Sequence, residues 1–201
     1  MVGKMVIPLL MAASLFIAAP ASAGEPMEQL RVSVEKVVEI LKDPSLKSPD
    51  RMLERRNRIF KVVEERFDFS EMAKRCLGEF WPKISEAEQR EFEVAFASLL
   101  ETSYIATIER FDEESVVFEE ERPKGRRYFV VHTAVVSGGR SISVDYSVRN
   151  VNGQWLVYDV NIEEVSLVAG YRVRFAETFR REGFRGLMKK IAEEAGAPGK
   201  G

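Results

Sequence analysis

The sequence predicts an α+β fold in which N-terminal helices pack on a curved antiparallel sheet of at least four strands, closed by C-terminal helices. Apolar residues recur at helical spacing through the first half of the chain, to about Arg110. From Ser115 to Ile162 they alternate with polar residues instead, and glycine-containing turns separate the alternating runs. Helices and strands that are segregated in this way are typical of α+β domains.

The first half of the chain contains four predicted helices. From Met27 to Leu41 the apolar residues fall on one helical face. Ser48-Pro49 has the pattern of an N-cap followed by proline in the first turn, and predicts the start of a second helix. The segments Asp68 to Glu71 and Ser85 to Glu88 have the pattern of capping boxes. The second of them opens the longest predicted helix, whose apolar face carries phenylalanine and leucine.

Four strands and one or two closing helices follow. The predicted strands are Val116 to Phe118, Tyr128 to Val136, Ile142 to Val148 and Gln154 to Ile162. Asn152-Gly153 predicts a type I′ hairpin turn between the last two. In the fourth strand, simple alternation places Trp155 and Val157 on one face and Leu156, Tyr158, Val160 and Ile162 on the other. Helical spacing resumes at Val165.

The chain of 201 residues suits one domain from residue 24 to residue 194. Lys4 and the apolar run from Met5 to Ala19, which ends in Ala21-Ser22-Ala23, predict a signal peptide over residues 1–23 and a mature start near Gly24. Residues 195–201 are rich in glycine and predict a disordered tail. Without residues 1–23, 29 basic residues face 32 acidic ones, which argues against nucleic-acid binding.

Residues for catalysis or metal binding are scarce. Cys76 is the single cysteine and is expected to be a small buried residue. His132 is the single histidine, and the chain has no metal-ligand spacing, nucleophile elbow or phosphate loop. Asp145 and Asp159 lie on adjacent predicted strands, either as a pair of carboxylates or as separate surface residues. We therefore expect that the protein is not an enzyme and that it uses no cofactor.

Several segments together resemble a known family. They are the W-x-V-Y-D-V segment from Trp155, the E-V-S-L-V-x-x-Y-R-x-x-F segment from Glu164, the segment from Phe67 to Ala73, and the pairs Leu77-Gly78 and Phe80-Trp81. In these the chain resembles the MlaC family of periplasmic phospholipid-binding proteins, also called the toluene-tolerance family. It departs from the family pattern at Glu164, where the family often has Gly, and at Gly170, where the family often has Asn.

The resemblance implies a periplasmic carrier, for which we expect a soluble monomer with an internal apolar pocket. Such a carrier takes phospholipid between an outer-membrane lipoprotein complex and an inner-membrane ABC transporter complex. Inward-facing apolar residues are the candidate lipid-binding residues, either as pocket lining or as solid core: Phe96, Leu99, Leu100, Tyr104, Val144, Tyr146, Trp155, Val157, Val168, Tyr171 and Phe175. Two alternatives remain: an enzyme that uses the same cavity with His132 or Asp145 as base, and a lipid-free adaptor protein.

Two charged segments also have alternative interpretations. Glu119 to Arg127 changes from acidic to basic, either as a solvated hairpin tip or as a surface that docks a partner. Seven basic residues after Val165 form either the solvated face of a helix or a surface for anionic headgroups. They are Arg172, Arg174, Arg180, Arg181, Arg185, Lys189 and Lys190.

Overall fold

The structure, a computed structural model, describes residues 24–110 and 115–196. The predicted signal peptide lies outside the described residues. The helices are α1 (Glu25–Lys42), α2 (Met52–Arg66), α3 (Phe69–Leu77), α4 (Glu86–Glu109) and α5 (Leu167–Gly196). The strands are β1 (Ser115–Pro123), β2 (Tyr128–Ser137), β3 (Arg140–Val151), β4 (Gln154–Ile162) and β5 (Val165–Ser166). The predicted α+β class is confirmed.

The five strands form one antiparallel sheet in the order β1-β2-β3-β4-β5. At the β3–β4 turn, Asn152 and Gly153 have φ of +53° and +88°, as a type I′ turn requires. Val165 was predicted to begin a helix and instead begins β5. Glu163 and Glu164, with φ of +47° and +68°, turn the chain back so that Val165 pairs with Ile162.

The predicted assignment of β4 residues to faces is wrong beyond Val157. Val148 pairs with Val157, but Ser147 pairs with Asp159, so Tyr158 is the extra residue of a β-bulge. An extra residue reverses the alternation after it. Val160 and Ile162 therefore lie on the same face as Trp155 and Val157, which is called the inner face below.

Helix starts follow the predicted chemistry in part. Ser85 and Glu88 form the complete capping box at α4. Asp68 caps α3 by accepting the Glu71 N–H at 3.0 Å, but the Glu71 carboxylate bonds Arg75 instead of completing a box. Ser48 makes no side-chain cap, because its hydroxyl bonds the Asp50 carboxylate, and a turn of 3₁₀ helix separates it from α2.

Helix α1 has its N-terminus capped by a distant strand. No local side chain caps it, and the Met27 N–H donates instead to the Glu121 carboxylate of β1 at 2.8 Å. A Cβ on Gly24 would lie 1.7 Å from Glu121 Oε1, so a larger residue there would require the carboxylate to move. A carboxylate at this position also favours the helix dipole. Glu121 therefore fixes the start of α1 on the sheet.

The apolar interior is divided into three clusters. A helical cluster joins α3, α4 and α5, with Met72, Phe92, Phe96 and Leu187 almost fully buried. A sheet cluster lies on the inner face beneath α1. A third, small cluster joins α1, α2 and α4 around Ile59.

Near this third cluster Arg55 and Arg56 both bond the Glu109 carboxylate, at 2.9 and 2.7 Å. Burial opposes ionisation of Glu109, but the hydrogen bonds from the two arginines outweigh it, and the pKa of Glu109 is lowered.

Helix α5 turns sharply at Gly183, whose φ of +68° and ψ of −172° are essentially restricted to glycine. The two halves approach each other again, since Arg174 lies 3.7 Å from Glu194. The helix continues to Gly196, two residues past the predicted end of the domain, and the rest of the predicted tail lies outside the described residues. No helix within the described ranges is long and apolar enough to cross a membrane.

Candidate functional site

The eleven candidate lipid-binding residues belong to two different clusters. The helical cluster contains Phe96, Leu99, Leu100, Val168, Tyr171 and Phe175, with Tyr104 packed against it. The sheet cluster contains Val144, Trp155 and Val157, with Tyr146 packed against it. The structure thus separates residues that were predicted to form one inward surface.

The helical part of the candidate site is tightly packed by aromatic rings. The Phe96 ring meets Tyr171 edge-on at 5.3 Å and Phe175 edge-on at 5.9 Å. Burial, together with a hydrogen bond to Tyr171, raises the pKa of Tyr104 to about 12. Edge-to-face pairs of this kind stabilise a packed interior. These residues therefore have the contacts of a solid core.

The sheet part of the site has a different environment. Val131, Val148 and Val157 are fully buried, and the Trp155 ring meets Phe129 edge-on at 5.1 Å. Trp155 is only 7% exposed, yet its indole Nε1 has no hydrogen-bond partner among the described residues. Burial raises the pKa of Tyr146 to about 12. The inner face therefore combines an apolar surface with one buried, unsatisfied donor.

Phe67 is the junction between the two clusters. Among the described residues it is the one side chain that packs against both. Its backbone follows α2 and bridges to Val157 in β4, and its ring lies 6.0 Å from that of Phe69. In the sequence Phe67 is recognisable only as part of the family-like segment from Phe67 to Ala73. Its position between the clusters depends on tertiary structure.

Polar groups hold the helices around this junction. Arg66 donates to Ser33 at 2.9 Å, to Gln29 at 3.1 Å and to the Trp155 carbonyl at 2.8 Å, and burial lowers the pKa of Arg66. It thereby joins α2 to α1 and β4. Arg149 in β3 donates to Asp68 at 2.7 Å and so fixes the cap of α3 to the sheet.

The two carboxylates considered for catalysis have separate roles. Asp159 accepts from the Ser166 hydroxyl at 2.6 Å and from the Val168 N–H at 3.1 Å, so it caps α5. Asp145 lies 2.9 Å from His132 Nδ1. His132 pairs with Asp145 on the face opposite the sheet cluster, so this pair does not line the inner face. No cluster of three or more possible metal ligands occurs in residues 24–110 and 115–196.

Cys76 is buried in the helical cluster, 3.7 Å from the Val168 carbonyl, and burial raises the pKa of its thiol.

The basic residues of α5 are largely paired with carboxylates of the same chain. Six of the seven lie within 4 Å of a carboxylate: Arg174, Arg180, Arg181, Arg185, Lys189 and Lys190. The seventh, Arg172, donates to the Arg75 carbonyl at 2.6 Å. The interpretation as a solvated helix face accounts for these contacts.

Two recesses open on the described surface. One, of about 480 Å³, is lined by six residues of or next to α2, five of them polar or charged. The other, of about 340 Å³, lies between α1 and β1 and is called the α1–β1 groove. Its lining residues are Arg31, Val34, Glu35, Val38, Glu39, Lys42, Ser115, Val116 and Phe118. In the sequence these residues carry no functional motif, and Val34 and Val38 are recognisable only as part of the apolar face of a helix.

Comparisons with known proteins agree with this architecture. The sequence profile of the family described as "MlaC protein" matches residues 31–193. The intermembrane phospholipid transport system binding protein MlaC of Haemophilus influenzae is 26% identical over 130 residues, which are 62% of this chain. The chain thus spans about 60% of the length of that relative.

A solved structure, the phospholipid-binding protein from Ralstonia solanacearum in complex with a phospholipid, superposes with a TM-score of 0.75. The match covers 86% of this chain and 97% of that protein at 24% identity. The two chains therefore share a fold.

Proposed function

The chain belongs to the MlaC family, and from that premise we propose that it is a periplasmic phospholipid carrier. The acyl chains of the bound phospholipid would lie along the inner face of the sheet, where the sheet cluster meets α1 and Phe67. The headgroup would stay in water. Because binding would be non-covalent, the carrier needs neither a cofactor nor catalytic residues.

The division of the apolar interior carries this proposal. A domain of this size usually has one contiguous core with small satellites. Here the sheet cluster is separate from the helical cluster and meets it through Phe67. A junction formed by one side chain can separate at lower cost than a continuous core, which supports the admission of acyl chains there.

The physical need for a carrier is large. Each methylene buried from water contributes about 0.8 kcal/mol, so roughly thirty methylenes of a two-chain lipid represent about 20 kcal/mol or more. A lipid cannot cross an aqueous compartment without an equivalent apolar surface. The fold of the Ralstonia solanacearum protein, which was solved with a phospholipid, supports the same use of this fold here.

Extraction of freshly purified protein with organic solvent, followed by mass spectrometry, tests the proposal. We expect phospholipid in near-stoichiometric amount. An extract without phospholipid, from protein shown to be folded by circular dichroism, would contradict the carrier function.

We further propose that the carrier exchanges lipid with an outer-membrane lipoprotein complex and an inner-membrane ABC transporter complex. Family membership supports this pairing. Transfer of a fluorescent phospholipid between vesicles that carry the two complexes tests it. Transfer should require the carrier and scale with its concentration. Binding of lipid without any transfer would contradict the shuttle and leave the lipid-binding function standing.

A further inference from the structure

The α1–β1 groove combines an apolar floor with a charged rim. Val34 and Val38 of α1 face Val116 and Phe118 of β1 across it. Phe118 pairs with Thr133 and Val116 with Val135, which places both on the inner face of the sheet. Val34, Phe118 and Val135 pack against the sheet cluster. The floor of the groove is therefore continuous with the buried inner face.

The rim can recognise a phosphate. The Arg31 guanidinium lies 4.2 Å above the Phe118 ring and so covers the apolar floor. Its carboxylate partner, Glu28, is 3.6 Å away and mostly exposed, which makes a weak ion pair. A phosphate offers this guanidinium a bidentate partner, which is the stronger kind of contact. Movement of Arg31 onto a phosphate would uncover Phe118 at the same time.

The remaining rim charges also fit one class of headgroup. Glu35 and Glu39 lie between Arg31 and Lys42 along α1, so the rim carries two charges of each sign. Residues four apart on a helix are neighbours, about 5–6 Å between Cβ atoms. Glu35 therefore lies beside Arg31, where it can meet a cationic amine while Arg31 meets the phosphate.

We infer that the α1–β1 groove is the mouth of the lipid site, with an acyl chain over Val34 and Phe118 and the phosphate of a zwitterionic phospholipid on Arg31. This inference rests on the proposed carrier function and adds the place and headgroup class. A volume of about 340 Å³ is within the range of small-molecule sites. From β1 to β4 the inner face spans three strand spacings, about 14 Å, which gives the chain a path toward Phe67.

Photocrosslinking locates the chain directly. The protein is loaded from vesicles of phosphatidylethanolamine that carry a diazirine in one acyl chain, irradiated and digested, and the adducts are mapped by mass spectrometry. Adducts in residues 31–42 and 115–118 support the groove. Adducts confined to α3, α4 and α5 overturn it but keep the carrier function. Folded protein with neither adduct nor extractable phospholipid overturns both.

Two matched pairs of variants test the roles of the residues. Val34→Asp should lower bound lipid by about tenfold or more, because it places a carboxylate on the floor. Val32→Asp, at a 41% exposed position of α1 outside the groove, should change it less than about twofold. Arg31→Gln should weaken phosphatidylethanolamine binding about five- to tenfold, and the exposed Lys36→Gln should not. Equal effects of Arg31→Gln and Lys36→Gln on binding would overturn the assignment, and this test remains valid even if Val34→Asp unfolds the protein.

Discussion

Replacement of Phe67 by alanine removes the packing between the two clusters and leaves the rest of the fold in place. Its backbone, with φ −99° and ψ 136°, is compatible with alanine, and the bridge to Val157 uses only main-chain atoms. The substitution therefore removes the ring and little else. The ring contacts both clusters and stacks with Phe69 at 6.0 Å.

The magnitude follows from burial. Phe→Ala in a core costs about 3–5 kcal/mol, and because Phe67 is only partly buried we expect about 3 kcal/mol in the lipid-free protein. For a domain of this size that lowers Tm by about 6–12 °C. If bound chains already displace the ring from its contacts, the lipid-loaded protein loses only about 1 kcal/mol. The difference of about 2 kcal/mol tightens lipid binding roughly 30-fold.

The assay compares lipid-free and lipid-loaded protein by thermal unfolding, with affinity from competition against a fluorescent phospholipid. Phe179→Ala is the matched control, since Phe179 is also partly buried, packs against the helical cluster and not the sheet cluster, and stacks with Phe80 rather than with Phe67. It should destabilise both forms equally and leave affinity unchanged. If Phe67→Ala also destabilises both forms equally, the ring keeps its contacts when lipid binds, and acyl chains do not separate the clusters.

Four further changes have definite expectations. Val144→Asp, at a 9% exposed position of the inner face, should stay folded but lose most of its bound lipid. Ile142→Asp, at a 40% exposed position of the same face, should keep its lipid. Lipid content and Tm are measured together, and unfolding of the Val144 variant would place Val144 in solid core. His132→Ala should leave lipid transfer within about twofold of the parent, because a carrier needs no proton acceptor, and a loss at unchanged Tm would favour catalysis. Glu164→Gly should raise stability by about 0.5–1 kcal/mol in urea titration, since φ is +68° there; no gain would mean that the turn is unstrained. The lowered pKa of Glu109 means that its ionised form stabilises the protein above the pKa of an unfolded carboxyl group, and that this stability is lost as the pH falls through the pKa in the folded state. Glu109→Gln should therefore reduce the stability at pH 7 and flatten the dependence of stability on acid pH. Parallel curves of stability against pH for variant and parent would contradict this.

Local chemistry made much of the fold predictable. The Ser85 capping box and the Asn152-Gly153 turn involve residues at most three apart, and both form as their sequences predict. The Tyr158 bulge carries no local signal. The four residues from Trp155 to Tyr158 are all apolar, so the sequence does not show where the alternation between the two faces changes. The bulge is set by pairing with β3, and it changed which residues line the inner face.

The candidate site was less predictable for the same physical reason. Periodicity identifies an inward side chain, but it does not identify the cluster that the side chain joins. Phe96 and Trp155 both face inward, yet they lie in different clusters. The α1–β1 groove depends on two segments about eighty residues apart, and its apolar residues resemble ordinary core positions in the sequence.

The contact between Met27 and Glu121 also constrains the order in which the protein is completed. The two residues are 94 positions apart, and α1 has no cap of its own. In proteins most of the stability of a helix comes from tertiary packing of its apolar face rather than from its own propensity. During synthesis α1 emerges long before the strand that fixes it, so its native start must wait for β1.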